Sequence, residues 1–459
     1  MDRTGLEGTG SGTGSNRLRR YPRFVRFWLA STVSDFGTYI TTLALSVLIL
    51  VSMEGTPLDQ GLVNAARWAP YLLFGPLAGV WVDRFRRRTV LVAGDLGRGI
   101  ILAGLCLLGA TGILTIPLLM VMMFSFGTLA LMSDAAYQSF LPQLVPRPLL
   151  TRANARLQQS DTVAQTTGSA LAGGVVALVS APFALLIDAC SFFFSGLALT
   201  TLQRTAAENP PPRSNTTLRQ SIGEGLRWVY GHPQLGPLAW STHIWFIGSA
   251  TLGAVVPSLI LNELKLGALG LGIVLGCAGV GAVFGTTIST RLGERWGTGR
   301  TMVAARLVQP FSVVLMALAP VAATSPVAAA LNGLTEAAVN TPGGWPAFLW
   351  AAFILAALGQ FLFGFAMGAD SPLEMGYRQA VTPDRLIARM SATMRSVNRG
   401  MIVLGAPLGG LIASGVGIGA ALWVAAGFML VGALVLLFSM FTSARIEEQQ
   451  LTEEQSLAP

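Results

Sequence analysis

Charge is what this sequence has least of: 11% of its 459 residues are charged and 52% are hydrophobic, where soluble domains carry roughly 25% charge. An ordinary soluble domain is excluded. Lysine is reduced to Lys265. A phosphate-binding loop needs a lysine after glycine, as in G-x-x-x-x-G-K-[ST], and Lys265 follows leucine, so an ATPase on this chain is excluded. The glycine run GCAGVGAVFG lies inside an apolar segment and lacks the strand-turn-helix setting of a nucleotide fold. Cys106, Cys190 and Cys277 sit apart in apolar runs, which leaves neither a disulfide framework nor a zinc site. The two histidines are far from any cysteine and form no H-E-x-x-H, so metal-dependent hydrolysis has no support. Neither a metal nor another cofactor is expected.

What is present is long apolar runs. A bilayer crossing takes about 20 apolar residues, and runs bounded by charge or turn residues predict twelve spans. They cover 28–52, 61–82, 89–110, 114–137, 154–178, 181–202, 235–260, 267–290, 301–322, 346–369, 388–414 and 417–441. The expected fold class is an all-α membrane protein. The first run is too long, and too free of a small-residue cleavage site, for a removed signal peptide.

Arginine is distributed unevenly. Clusters precede span 1 and follow spans 2, 4, 6, 8, 10 and 12, and the intervening loops hold almost nothing positive except Lys265. The positive-inside rule then places both termini and every arginine loop in the cytoplasm. The net charge of +8 is read as topogenic and not as a nucleic-acid interface, since it is dispersed between spans. The expected organisation is a tail at 1–27, a six-helix bundle at 28–202, a linker at 203–234, a second bundle at 235–441 and a tail at 442–459. Within the linker, NPPPRSNTT precedes an amphipathic stretch, LRQSIGEGLRWVYGHPQL.

The two halves repeat. VPRPLLTRANARL at 145–157 is similar to TPDRLIARMSATM at 382–394, and GSALAGG at 168–174 falls on GAPLGGL at 405–411 at the same spacing. GVWVDRFRRRTVL at 79–91 is matched after span 8 by RLGERWGTGRTMV at 291–303, with a shorter offset. The difference has about the length of the loop Thr324 to Trp345, which reads as an outer-face insertion. Such a parallel duplication of six spans is the arrangement of a secondary transporter.

Gly79, Asp83, Arg84, Arg87 and Arg88 match G-x-x-x-D-R-x-G-R-R, the loop signature between helices 2 and 3 of the major facilitator superfamily, with Arg86 in place of the glycine. SFLPQLVPRPLLTRANA, GLRWVYGHPQL and the paired glycine segments resemble the bacterial branch that exports enterobactin-type siderophores and macrolides. The resemblance implies twelve helices in two pseudo-symmetric six-helix bundles, in a bacterial cytoplasmic membrane, working as a monomer. It further implies a gate. Asp83 would face the start of helix 11 near Ala388 to Ser391, Arg87 would pair with Asp134, and Glu294 with Arg295 would repeat the motif against the start of helix 5. The glycine segment of helix 5 would pack against helix 8, although Ser169 replaces the usual proline that Pro407 keeps.

Polar residues inside spans mark a cavity or an internal contact, because lipid exposure is costly. Ser31, Ser34, Asp35, Thr38, Thr41 and Thr42 share one face of span 1, and Gln158, Asp161, Thr162, Gln165 and Ser169 repeat the pattern in span 5. Two readings of Asp35 stand, a proton-coupling acid or a structural carboxylate. Arg395, Asn398 and Arg399 in span 11 either bind an anionic substrate or neutralise Asp35 and Asp161. Gln360 is a further cavity candidate. His243, near Trp240 and Trp245, is a proton relay or, more simply, a satisfied buried histidine. Asp188, Asp95, Arg98 and Arg306 read as internal pairs, and Arg67 as a snorkelling arginine near the outer side.

The resulting expectation is an exporter of a small amphipathic molecule, working by alternating access in exchange for protons. A nutrient importer or uniporter is the alternative within transport. A receptor, a scaffold or an embedded enzyme lies outside it, and no catalytic constellation supports the enzyme.

Overall fold

Apolar runs that can satisfy their backbone only internally become helices in lipid, and the computed structural model is helical in this way. It describes residues 18–82, 84–146, 149–201, 218–324 and 347–444. The long helices are α1 (Pro22–Val47), α2 (Pro57–Val82), α3 (Arg87–Ala110) and α4 (Ile116–Phe140). α5 starts as Leu150–Val163 and passes through a π turn at Ala164–Gly168 into Ser169–Val179. α6 (Ala181–Thr200), α7 (Leu235–Ser258), α8 (Gly267–Trp296) and α9 (Thr298–Thr324) follow. α10 (Ala347–Ala380), α11 (Asp384–Gly415) and α12 (Ile418–Leu437) complete the series. Eleven of these helices, all except α2, are long and apolar enough to cross a membrane. The chain is a multi-pass membrane protein.

The duplication seen in the sequence recurs in backbone geometry. α1 ends in a π turn at Leu48–Ser52 and α7 in another at Leu259–Glu263. Each turn is followed at the same distance by a non-glycine residue in the left-handed region, Glu54 and Lys265, both at φ 52°. Ser180, after α5, and Gly417, after α11, also have positive φ, and they are separated by the same spacing as Pro146 and Pro383.

The first and second halves of the chain meet along two pairs of helices. α2 packs on α11, where a side chain on Gly410 would press on the backbone of Leu58 at 2.7 Å. α5 packs on α8, where a Cβ on Gly173 would lie 2.9 Å from the Gly272 backbone. Small residues let these backbones touch, which is how helices associate where water supplies no drive. The implied packing of helix 5 on helix 8 is therefore present.

The apolar core explains which end is closed. One cluster joins Leu43, Leu48 and Ile49 of the first half to Val255, Leu259 and Ile260 of the second, at the end away from the arginine loops. At the arginine end each half has its own cluster, around Phe24, Phe140 and Leu199 in one and around Met302, Tyr377 and Phe441 in the other. The amphipathic linker stretch is a helix, Leu218–Gly231, clasped to the start of α11. Its Trp228 Nε1 donates to Thr382 at 3.2 Å, its Glu224 pairs with Arg389, and Val229 packs among Met390 and Met394.

Candidate functional site: a polar cavity among α1 to α6 and α11

A cavity of 570 Å³ runs from the arginine end to the middle of the first half. α1 contributes Ser31, Ser34, Asp35 and Thr38; α5 contributes Asn154, Gln158 and Asp161; α2, α3 and α4 contribute Arg67, Trp68, Tyr71, Asp95, Arg98 and Asp134. Arg399 reaches in from α11. A smaller cavity of 260 Å³ lies toward the opposite end between the halves, where Thr42, Gln60, Asn64, Ser249 and Gln360 interrupt a lining of Leu45, Val63, Met123, Leu252 and Phe363. Arg67 borders both.

The face of α1 divides its work. Thr41 turns away from the cavity and donates to Asp188 of α6 at 2.6 Å, and Ser191 donates to the other oxygen of the same carboxylate at 2.7 Å. Gly37 is required there, because a Cβ would strike Asp188 and Ser191. Asp35 stands differently. It has neither a hydrogen bond nor an ion pair among the described residues and opens on the cavity. Asp161 accepts from Tyr39 at 3.1 Å and from Gln158 at 3.4 Å. Asp134 accepts from Tyr71 at 2.7 Å. Asp95 is spoken for by Arg98 at 2.5 Å and by Ser195 at 2.6 Å.

Among the described residues, two arginines of the cavity make no hydrogen bond or ion pair. Arg67 lies 5.7 Å from the Trp68 ring and 5.4 Å from Phe126. Arg399 stacks 4.0 Å from the same Trp68 ring and 5.9 Å from Tyr71. Arg67 is thus an interior residue and not a snorkelling one. Its backbone is fixed by α4, since Gly127 meets the Arg67 carbonyl where a side chain would clash.

Other sequence candidates fall elsewhere. Thr162 bonds back to the Gln158 carbonyl at 2.9 Å, and Gln165 sits in the π turn of α5; neither lines the large cavity. Arg395 is exposed. His243 is 2% exposed, held between Tyr230 at 2.8 Å and Asn398 at 2.7 Å, which is the satisfied buried histidine. Asn398 thereby faces His243 and not the cavity. Gln360 lines the smaller cavity. Arg306 is an internal pair, contacting Asp370 at 3.1 Å and Glu374 at 2.9 Å.

Of the loop motif, Asp83 lies outside the described residues, and Gly79 ends α2 with its neighbours. Arg88 caps α6, donating from Nε to the Leu199 carbonyl at 3.0 Å and from a terminal nitrogen to Thr200. A cation at a helix C-terminus is favoured by the exposed carbonyls there. Arg84 is exposed and Arg87 half-buried; Glu294 and Arg295 are exposed at the arginine end of α8. The start of α11 near Arg389, expected to receive Asp83, is covered at Gly225 by the linker helix.

Trp68, Tyr71 and Tyr39 were not singled out from the sequence. Tyr39 and Tyr71 fall one helical turn from the polar stripe and from Arg67, a signal that spacing alone held.

Comparison with known proteins places this geometry. The family model described as "Transmembrane secretion effector" matches residues 18–341. The enterobactin exporter EntS of Salmonella choleraesuis is 24% identical over 427 residues, covering 92% of this chain and 93% of that one. An uncharacterized MFS-type transporter of Bacillus subtilis, YfiS, is 27% identical over 208 residues; that match covers 45% of this chain and 49% of the relative's length. Among solved structures, a bacterial homologue of the iron transporter ferroportin in its inward-facing state superposes with a TM-score of 0.65 at 17% identity, over 92% of this chain and 99% of that one. At that identity the likeness is one of fold.

Proposed function

Because this chain belongs to the transmembrane secretion effector family of the major facilitator superfamily, we propose that it exports a small amphipathic molecule by alternating access, in exchange for protons. The observation that carries this reading is the pairing of a polar cavity reaching the arginine end with a sealed apolar cluster at the other end. That is the form of a carrier waiting for cargo on the arginine side. The positive-inside rule makes this side the cytoplasm. The name of the Salmonella relative, an enterobactin exporter, supports the outward direction.

The architecture that goes with this reading is twelve spans in two six-helix bundles, at 28–202 and 235–441, in the bacterial inner membrane. α2 is the span to be added to the eleven. Its 26 residues measure about 39 Å at 1.5 Å per residue, and it packs along α4 and α11, which are themselves long and apolar enough to cross. Asp35 is the coupling acid of the proposal. A carboxylate facing a cavity inside the membrane, with no fixed cation, is suited to exchange a proton with whichever side the cavity faces. Asp161, held by two neutral donors, is its neighbour in the same role. Asp83, Arg84, Arg87 and Arg88, with Glu294 and Arg295, gate the arginine end.

Flux in proteoliposomes under an imposed pH gradient tests the proposal, using macrolides, hydrophobic cations and siderophores as cargo. Gradient-driven accumulation of at least one class, lost in Asp35→Asn, is the expected result. Folded protein that moves none of them under either gradient direction overturns it.

A further inference from the structure

The charges of the large cavity are sorted. Asp35 and Asp161 line it from α1 and α5, and Arg67 and Arg399 from α2 and α11. A guanidinium taken out of water is expensive unless it is paired, and arginines inside membranes normally face a carboxylate or a carbonyl. Arg98 and Arg306 follow that rule. Arg67 and Arg399 make no such direct contact: Asp188 acts on Arg67 and Asp134 on Arg399 only at a distance, and among the described residues neither arginine donates a hydrogen bond or makes an ion pair, their close contacts being aromatic rings. Asp134, the carboxylate on the same side, is engaged by Tyr71.

Both guanidinium carbons lie over one indole, Trp68, at 5.7 Å for Arg67 and 4.0 Å for Arg399, and both residues line the large cavity. An arginine stacked through its π face keeps its in-plane N–H fork free for a planar or tetrahedral anion. The two come from different halves of the chain, so a ligand held by both spans the interface that alternating access must rearrange. Arg67 also faces the smaller cavity, whose lining is largely apolar.

We infer that Arg67, Trp68 and Arg399 form the docking site for an anionic group of the transported molecule, a carboxylate, sulfonate or phosphate on an aromatic or apolar body. The anion takes the two guanidinium forks, and the body lies against Trp68 and toward Met123, Leu252 and Phe363. The inference rests on the export reading for its biological meaning, but binding tests it without transport.

The probes are three naphthalenes of one size: 1-naphthalenesulfonate, 1-naphthalenemethanol and 1-naphthylmethylamine. Equilibrium binding to the purified full-length protein in nanodiscs is measured for each. The sulfonate is expected to bind at least tenfold more tightly than the neutral alcohol, and the amine no better than the alcohol. Arg399→Gln and Arg67→Gln are each expected to remove most of that preference while leaving the alcohol unchanged, and Arg399→Lys to retain part of it. The ranking in the unaltered protein needs no variant, so a substitution that fails to fold does not protect the inference. Equal affinity for the three probes overturns it, and so does a sulfonate preference that survives both glutamine variants. Absent flux with the sulfonate preference intact would overturn the export reading and leave this site standing.

Discussion

The two halves repeat each other in backbone and differ in what they do with charge. In the first half, the carboxylate of α4, Asp134, is answered by a tyrosine, Asp161 lines the cavity held only by the neutral donors Tyr39 and Gln158, and Asp35 lines it with no partner among the described residues. In the second half, Asp370 on α10, the counterpart of α4, is answered by Arg306, which also holds Glu374, Ser241 and Thr242, and Arg378 closes the set on Glu374 at 3.0 Å. The first half ties Asp95 to Arg98 and Asp188 to two hydroxyls but leaves Asp35 and Asp161 on the cavity without an ion pair among the described residues, whereas the second half ties Asp370 and Glu374 to arginines. The same scaffold thus carries a working half and a braced half, and each can be probed by substitution.

The largest effect should come from the brace. Arg306→Met leaves the buried Asp370 without its cation, while Arg378 stays on Glu374, which costs about 3–5 kcal/mol, read as a fall in melting temperature in detergent. A variant as stable as the parent would erase the distinction between the halves. Next comes the seam. Gly173→Leu forces side-chain atoms into the α8 backbone at about 1–3 kcal/mol, whereas Gly174→Leu, facing open space, should leave melting unchanged; equal behaviour of the two would sink the backbone contact.

Thr41→Val removes a donor from the buried Asp188 carboxylate and should cost about 1–3 kcal/mol, an exception within the working half that melting also detects. His232 gives a smaller, pH-dependent effect. Its Nδ1 accepts from the backbone N–H of Gln234 and Leu235, both at 3.2 Å, at the start of α7. Burial holds its imidazole below the ordinary histidine value of 6.5. The unfolded chain therefore takes up the proton first, and the stability His232 contributes is present above pH 6.5 and lost as pH falls below it. His232→Ala should cost about 1 kcal/mol at neutral pH, as a lost cap does, and should flatten that slope. The smallest change in melting, within about 0.5 kcal/mol, belongs to Asp35→Asn, which should nonetheless abolish gradient-driven flux. A large loss of stability there would make Asp35 structural.

Much of this was legible in the sequence, and the misses have physical causes. Span positions follow from hydropathy because the bilayer imposes one length on every crossing. The repeat was visible because the paired segments keep their spacing, and the structure adds Glu54 with Lys265 to it. Arg67 was misplaced because the outside of a membrane helix is as apolar as its inside, so periodicity does not say which way a lone charge points. Counting regular turns puts Gln165 on the stripe of Asp161, but the π turn at Ala164–Gly168 absorbs an extra residue. Gln158 and Asp161 line the cavity, and beyond the turn Thr166, Ser169, Ala170 and Gly173 meet α8. Trp68 under Arg399 was invisible for a different reason: the two lie in opposite halves, and only tertiary packing joins them.

The glycine contact of α5 with α8 has a mechanical consequence. Gly173 and Gly272 touch backbone to backbone near the end of the molecule away from the arginine loops, and on the other seam Gly61 meets the backbone of Ala406 and Pro407 while Gly410 meets that of Pro57 and Leu58. Such points act as fulcrums, because a tilt about them barely changes their own spacing. From Gly272 to Trp296, α8 forms a lever about 36 Å long. A tilt of about 10° there would swing its far end through about 6 Å, so a small rotation at a pair of glycines becomes a passage the width of a small molecule at the arginine side.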